Sequence, residues 1–95
     1  MILFSYTILI YNNTIEYLGK NEYKITGWYK NEQKGWECNY KNGRLHGKYM
    51  GWYENGQKSF ERNYKNGELH KKYIGWHENG QKTYEYNYKN GRYLS

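Results

Sequence analysis

The residues of this sequence that are best suited to bind a metal ion are three histidines. His46 and His70 lie 24 residues apart, and His77 follows Trp76 directly. A zinc site needs three or four converging ligands, usually imidazoles combined with thiolates or carboxylates. The sequence has no aspartate and a single cysteine, so no set of partners for these histidines is recognisable. We predict that the histidines are surface residues of a periodic structure and that the protein binds no metal.

Glutamates recur with the same spacing, at Glu37, Glu61 and Glu85. Paired carboxylates can act as general acid and base, but their periodicity explains these three as equivalent positions along a ladder of strands. The sequence contains no phosphate-binding glycine-rich loop, nucleophile elbow or metalloprotease motif. Cys38 is the only cysteine, so no intrachain disulfide forms, and nothing in the sequence predicts an activated thiol. We predict a non-enzymatic protein without cofactors.

The 24-residue spacing continues from Gly27 to the end of the sequence and defines three units, 27–50, 51–74 and 75–95. Each unit opens with Gly-Trp and later contains Glu-x-Asn-Tyr-Lys-Asn-Gly, at 37–43, 61–67 and 85–91. A fixed period of this length indicates a supersecondary element that buries its apolar surface only by stacking on its neighbours. The sequence therefore predicts an array of repeated units.

Asn-Gly pairs predict the corners of this array. They occur five times, at 42–43, 55–56, 66–67, 79–80 and 90–91. Asn-Gly favours the two-residue type I′ hairpin turn, which needs positive φ at both positions. Each unit then contains two strands and two turns, and helix is disfavoured by the residue types present. Two-residue turns would pair Trp52 with Ser59, Tyr53 with Lys58, Phe60 with Tyr73, and Tyr64 with Leu69.

This pairing sorts the side chains onto two sides of a sheet. One side receives Tyr49, Tyr53, Phe60, Tyr64, Leu69 and Tyr73, and the other receives Met50, Trp52, Ile74 and Trp76 among Glu61, Asn63 and His70. Apolar area comes mainly from 14 Tyr, 4 Trp and 2 Phe, and this composition suits a thin sheet better than a thick core. We predict an all-β fold, a single-layer, twisted antiparallel sheet of repeated hairpins. At Asn31-Glu32 the turn glycine is missing, so we expect strain or another turn type.

The segment 1–26 matches the repeat weakly. Its apolar stretch covers about residues 1–11 and is shorter than the roughly 20 residues that span a bilayer. No basic residue precedes Lys20, whereas a secretory signal begins with one. We predict a degenerate capping unit or strand, and a cytoplasmic protein. A short signal or the remnant of a longer parent chain is the alternative.

The repeat unit resembles the variant MORN (membrane occupation and recognition nexus) repeat. Matching positions in the second unit are Trp52, Tyr53, Asn55, Gly56, Glu61, Tyr64, Asn66 and Gly67, and the resemblance covers about residues 27–94. One departure is Lys71, which stands where the preceding unit has Gly47. Such repeats occur in bacterial antitoxin components and in large viruses. The resemblance implies elongated hairpin arrays without catalytic residues that bind proteins or, in some cases, lipids.

The net charge of +6 favours an acidic partner. We predict a repeat scaffold that binds a protein partner through an aromatic, basic sheet surface, with an antitoxin-like role implied by the resemblance. The predicted contact residues are Trp28, Tyr29, Trp52, Tyr53, Trp76 and His77. The rival interpretation is that these residues only hold the sheet together. Single-stranded nucleic acid and an anionic membrane surface are the alternative partners.

Overall fold

The structure is a computed structural model that describes residues 6–10 and 12–95. The described residues form ten strands and no helix. The strands are β1 Tyr6–Ile10, β2 Asn13–Gly19, β3 Glu22–Trp28, β4 Lys34–Lys41, β5 Arg44–Leu45, β6 Gly47–Trp52, β7 Lys58–Lys65, β8 Glu68–Trp76, β9 Lys82–Lys89 and β10 Arg92–Tyr93. They join one antiparallel sheet in the order β1-β2-β3-β4-β6-β7-β8-β9-β10, with β5 also paired to β4. The predicted all-β, single-layer sheet of hairpins is confirmed.

Three Asn-Gly corners are two-residue turns as predicted. Asn42-Gly43, Asn66-Gly67 and Asn90-Gly91 have φ values of 52° and 78°, 51° and 82°, and 49° and 82°. Both positions of each corner therefore lie in the left-handed region, as a type I′ turn requires. These corners lie along one long side of the sheet, which we call the turn side.

The other two Asn-Gly pairs lie in longer loops on the opposite long side, which we call the loop side. In the loop 53–57, Gly56 has φ 88° whereas Asn55 is not in the left-handed region. The Gly56 N–H donates to the Tyr53 carbonyl at 3.0 Å, and the Tyr53 N–H donates to the Gln57 carbonyl at 2.8 Å. This is a type I turn followed by a left-handed glycine. The prediction of a two-residue turn is wrong here and at Asn79-Gly80.

The pairing next to these loops differs from the prediction for that reason. Trp52 pairs with Lys58 and Gly51 with Phe60, so Ser59 is the extra residue of a bulge. The predicted pairs Trp52–Ser59 and Tyr53–Lys58 are therefore wrong, and Tyr53 lies in the loop, outside the strand alternation. Asn55 has a local reason to stay out of the left-handed region, because its side-chain oxygen accepts the Gln57 N–H at 2.9 Å.

A second irregularity lies on the turn side. Tyr64 pairs with Leu69 as predicted, but Phe60 pairs with Gly75 and not with Tyr73. The register shifts within β8, where Lys71 has φ 74° at the position that Gly47 occupies with φ 79° in the preceding unit. The extra residues of this bulge were not visible in the alternation of residue types.

The first loop keeps the loop-side geometry despite its missing glycine. Glu32 has φ 67°, in the place where Gly56 has 88°. Its N–H donates to the Tyr29 carbonyl at 3.0 Å, as in the other loops. The expected strain is therefore present and the turn type is unchanged.

Strand alternation produces two different faces. The aromatic face carries Ile15, Tyr17, Tyr23, Ile25, Trp36, Cys38, Tyr40, Tyr49, Phe60, Arg62, Tyr64, Tyr73, Tyr84, Tyr86 and Tyr88. The charged face carries Lys24, Thr26, Trp28, Lys34, Glu37, Lys48, Met50, Trp52, Lys58, Glu61, Lys72, Ile74, Trp76, Lys82 and Glu85. The predicted separation of Tyr49, Phe60, Tyr64 and Tyr73 from Trp52 and Trp76 is thus correct.

Burial is shallow throughout, because a single layer has no interior between sheets. Among the described side chains, Cys38 is 3% exposed, Ile74 7%, Thr26 5% and Glu37 6%. The segment 1–26 contributes β1, β2 and most of β3 to the same sheet. Residues 1–5 and 11 of the apolar N-terminal stretch lie outside the described residues.

Candidate functional site

The predicted contact residues Tyr29 and Tyr53 connect consecutive units on the loop side. The Tyr29 hydroxyl donates to the Trp52 carbonyl at 2.6 Å, and the Tyr53 hydroxyl donates to the Trp76 carbonyl at 2.6 Å. Asn55 adds a parallel link, since its amide donates to the Glu78 carbonyl at 3.1 Å. These bonds join each loop to the loop 24 residues later. Both tyrosines therefore have a structural task that the 24-residue period explains.

His77 occupies the third position of this row and is exposed. Its backbone N–H donates to the Gln81 carbonyl at 2.7 Å, which closes the last loop in the same way as the first two. Its imidazole makes no hydrogen bond with a described residue. His77 is therefore accessible, unlike the half-buried Tyr29 and Tyr53.

The three predicted tryptophans lie on the charged face and are half-buried. The Trp28 indole N–H donates to the Thr14 hydroxyl at 3.1 Å. The Lys34 ammonium lies 6.0 Å from the Trp52 ring centroid, and the Lys58 ammonium lies 5.6 Å from that of Trp76. The structure thus separates the six predicted residues into a tryptophan row on one face and a tyrosine–histidine row along the loop side.

Three glutamates of the charged face, 24 residues apart, each lie between two lysines. Lys34 is 2.7 Å and Lys24 is 3.9 Å from Glu37. Lys58 and Lys48 flank Glu61 at 3.0 and 3.9 Å. Lys82 and Lys72 repeat the arrangement around Glu85, whose pKa is lowered mainly by the hydrogen bond from Lys82. The three carboxylates therefore occupy equivalent positions of the ladder and take part in the same ion pairs.

On the aromatic face, the described rings form one contacting pair, Tyr17 and Tyr23 with centroids 5.0 Å apart, and two larger clusters. The first is Trp36, Tyr49, Phe60 and Tyr64, with ring centroids 5.5 to 6.4 Å apart. The second is Tyr73, Tyr84, Tyr86, Tyr88 and Tyr93, with centroids 5.4 to 6.2 Å apart. Such tilted and edge-on pairs are favourable ring arrangements.

The glycine that opens each unit lies beneath one of these rings. A Cβ atom on Gly27, Gly51 or Gly75 would overlap the ring of Trp36, Phe60 or Tyr84, respectively. Sequence reasoning missed this role. A signal for it was present, because an aromatic residue follows each of these glycines after nine residues.

Arg62 joins the two ring clusters. Its guanidinium carbon lies 4.6 Å from the Phe60 centroid in the first cluster and 4.9 Å from the Tyr73 centroid in the second. Its Nε atom is buried and makes no hydrogen bond with a described residue. Sequence reasoning did not single out Arg62, although a charged residue at a position that is Cys38 or Tyr86 in the other units was a visible departure.

The remaining candidates for chemistry are poorly placed for it. Burial, with a smaller effect of the neighbouring Glu37, raises the pKa of the Cys38 thiol to about 11, so almost no thiolate is present near neutral pH. Burial also raises the pKa values of Tyr49 and Tyr84. Within residues 6–10 and 12–95, no group of three or more His, Cys, Asp or Glu side chains could hold a metal ion.

No helix among the described residues has the length and apolar character needed to cross a membrane. Comparisons with protein-family models, with curated proteins and with solved structures gave no match.

Proposed function

We propose that this chain is a non-catalytic repeat scaffold that binds a protein partner through its aromatic face. The observation that carries the proposal is the row of contacting rings from Trp36 to Tyr93, with the unpaired guanidinium of Arg62 at its centre. Tyrosine, tryptophan and arginine are the residues that most often supply the binding energy of protein interfaces.

The exposure of the second ring cluster supports this use. Tyr86 is 39% exposed, Tyr93 is 61% exposed, and the adjacent Leu94 is 60% exposed. Rings held by their neighbours on a hydrogen-bonded sheet lose little conformational freedom when a partner covers them, so more of the contact energy is available for binding.

The charge distribution supports an acidic partner. The register places every glutamate of the strands on the charged face, together with the lysines that pair with Glu37, Glu61 and Glu85. The aromatic face is thus left with the positive charges of Arg62 and Lys71 and with no glutamate of the strands. The resemblance to the variant MORN repeat is compatible with a protein-binding array. An antitoxin-like neutralising role is the most specific form of the proposal.

Site-directed photo-crosslinking tests the proposal. The crosslinking amino acid p-benzoylphenylalanine replaces either Tyr86 on the aromatic face or the exposed Lys72 on the charged face, and each protein is incubated with extract of the native host. We expect a nuclease-resistant protein adduct that is at least about tenfold more abundant from position 86 than from position 72. Equal adducts from both positions, or adducts removed by nuclease, would contradict the proposal.

The tryptophan row supports a second candidate, single-stranded nucleic-acid binding. Trp52 and Trp76 each carry a lysine ammonium near the ring, and the charged face has two lysines for each glutamate. Bases can stack on such rings while the lysines contact phosphates. Because every one of these lysines already pairs with a glutamate, this candidate ranks second.

Fluorescence anisotropy with a labelled oligothymidine of about 20 nucleotides tests the second candidate. Nucleic-acid binding predicts an affinity that falls steeply between about 50 and 200 mM salt and is reduced by Trp52→Ala but not by Tyr86→Ser. Vesicles of phosphatidylserine serve as the parallel probe for the anionic-membrane alternative.

A further inference from the structure

Arg62 is an arginine that the repeat fold does not require. The equivalent positions 24 residues before and after it are Cys38 and Tyr86, and both lie on the same face of strands with the same pairing. A thiol and a phenol thus fill the same place in the sheet. The positive charge at position 62 therefore calls for an explanation other than packing.

This charge is not neutralised within the described residues. Every ion pair of the structure joins a lysine to a glutamate, and none involves Arg62. The glutamates nearest in the ladder, Glu61 and Glu85, lie on the opposite face and are held by their own lysines.

Two rings and the burial of Nε shield part of the guanidinium from water. The guanidinium carbon lies 4.6 Å from the Phe60 ring centroid and 4.9 Å from the Tyr73 ring centroid. Its Nε atom is buried without a partner, whereas its two terminal nitrogens are not among the buried atoms and make no hydrogen bond with a described residue. A partly desolvated cation with its planar end open interacts more strongly with an anion than a fully hydrated one does.

We infer that Arg62 is the subsite for a single carboxylate, the side chain of an aspartate or glutamate on the protein partner. This inference rests on the proposed function and names the chemistry that the aromatic face recognises. The two terminal nitrogens of an arginine match the two oxygens of a carboxylate in a bidentate pair. Tyr49 and Tyr73 pair with Arg62 in the ladder, and the Tyr73 ring lies 4.9 Å from the guanidinium carbon. The hydroxyl groups of both tyrosines make no hydrogen bond with a described residue, so they are free to donate to the same anion.

The single cation that lies against the rings favours a monoanion over a phosphate. Lys48 and Lys72, on the strands that flank Arg62, project to the charged face. Lys71 pairs with Tyr88 and so shares the aromatic face, but among the described residues Arg62 is the only cation placed over rings of that face. A phosphate group carries nearly two charges and is usually bound by several cations. The rings beside Arg62 further favour an acidic residue that has apolar or aromatic neighbours in the partner's sequence.

Two matched peptides test the inference, acetyl-Phe-Glu-Phe-amide and acetyl-Phe-Gln-Phe-amide. They are titrated into the full chain while the NMR signals of the Arg62 Nε–H group and of the tyrosine rings are followed. We expect both peptides to shift the ring signals, the glutamate peptide alone to shift the Arg62 signal, and its affinity to be about tenfold higher at low salt.

Two variants of equal charge separate the subsite from the general charge of the protein. Arg62→Gln should abolish the tenfold preference for the glutamate peptide, whereas Lys72→Gln, which removes one charge from the other face, should leave it intact. Circular dichroism checks folding. If Arg62→Gln does not fold, the unmodified chain tests the inference. A shift of the Arg62 Nε–H signal with the glutamate peptide alone supports the subsite, and its absence overturns it.

The outcomes distinguish this inference from the proposed function. Ring shifts with equal affinity for both peptides would overturn the Arg62 assignment and leave the aromatic face as a binding surface. The absence of ring shifts with either peptide would overturn both. Tighter binding of a phosphotyrosine peptide than of the glutamate peptide would overturn the choice of carboxylate.

Discussion

The two faces of this sheet come from the same strands but are stabilised in different ways. On the charged face, each of Glu37, Glu61 and Glu85 lies between two lysines, so each of these carboxylates is paired and each group of three keeps one net positive charge. On the aromatic face, rings contact rings and lie over glycines, and the guanidinium of Arg62 has no anion beside it.

This difference indicates how a one-layer protein divides structure from binding. A face whose charges are paired has little left to offer a partner, because binding would first have to break its ion pairs. The aromatic face keeps exposed rings and an unpaired cation, which a partner can cover at low cost. The predictions below test this contrast, beginning with the largest expected effect.

The glycine under each ring should be the most sensitive position of the aromatic face. Gly51→Ala places a methyl group inside the volume of the Phe60 ring, and we expect a loss of about 3 kcal/mol in the free energy of unfolding. Gly35→Ala is the control, because its Cβ would meet Tyr29 at an ordinary 3.4 Å, and we expect a change below about 1 kcal/mol. Urea denaturation measures both, and equal losses would show that the ring–glycine contact is not what stabilises this face.

On the charged face, the loss should follow the burial of the carboxylate. Glu37→Gln removes the charged partner of Lys34 at a site where the glutamate side chain is only 8% exposed, and we expect a loss of about 1.5 kcal/mol. Glu61→Gln, at 14% exposure, should cost less. Urea denaturation at low and high salt measures both. No change in either variant would show that these ion pairs contribute nothing to the stability of the face.

The loop residue Glu32 belongs to neither face, and its substitution gives a reference for the size of the two preceding effects. Glu32 has φ 67°, a conformation in which its Cβ is strained. Glu32→Gly removes this Cβ, and we expect a gain of about 1 kcal/mol in the free energy of unfolding. Glu54→Gly makes the same chemical change in the next loop at a residue that is not left-handed, and it should not stabilise the protein. Thermal and urea unfolding measure both variants, and a loss of stability in Glu32→Gly would refute the assignment of strain.

The smallest effect should come from Glu85, the most exposed of the three carboxylates that lie between two lysines. Its pKa is lower in the folded protein than its ordinary value, so its contribution to stability is present above that ordinary value and is lost as the pH falls through the lowered pKa. Glu85→Gln should therefore unfold at a slightly lower temperature than the unmodified chain at neutral pH. This difference in melting temperature should shrink as the pH falls from the ordinary pKa of a glutamate through the lowered pKa of Glu85, and a difference that does not change with pH would contradict the ion-pair explanation.

Much of the fold could be predicted because its signals are local. Asn42-Gly43 and its two equivalents fixed three corners through their own backbone preferences. The loop at Asn55-Gly56 could not be distinguished from them by residue type, since its geometry depends on the Asn55 side chain accepting the Gln57 N–H. The predicted pairing of Phe60 with Tyr73 is wrong because a bulge forms around Lys71. This bulge depends on contacts between strands and leaves no mark in the alternation of residue types.

The candidate site was less predictable than the fold. Tyr29 and Tyr53 were recognised as recurring aromatic residues, but only their hydroxyl bonds to the next loop reveal a structural task. Arg62 was overlooked, because one substitution within a repeat has no evident meaning until the surrounding rings are known.

The sequence by itself determined that this protein is a ladder of antiparallel hairpins and which residues share a side, because turn residues and alternation act within a few positions along the chain. Only the tertiary structure decided that one face is held by lysine–glutamate pairs and the other by contacting rings. It also decided that each unit-opening glycine lies under a ring and that a single guanidinium remains without an anion. These features depend on how neighbouring strands are offset by their bulges, and that offset is set by contacts between residues distant in the sequence.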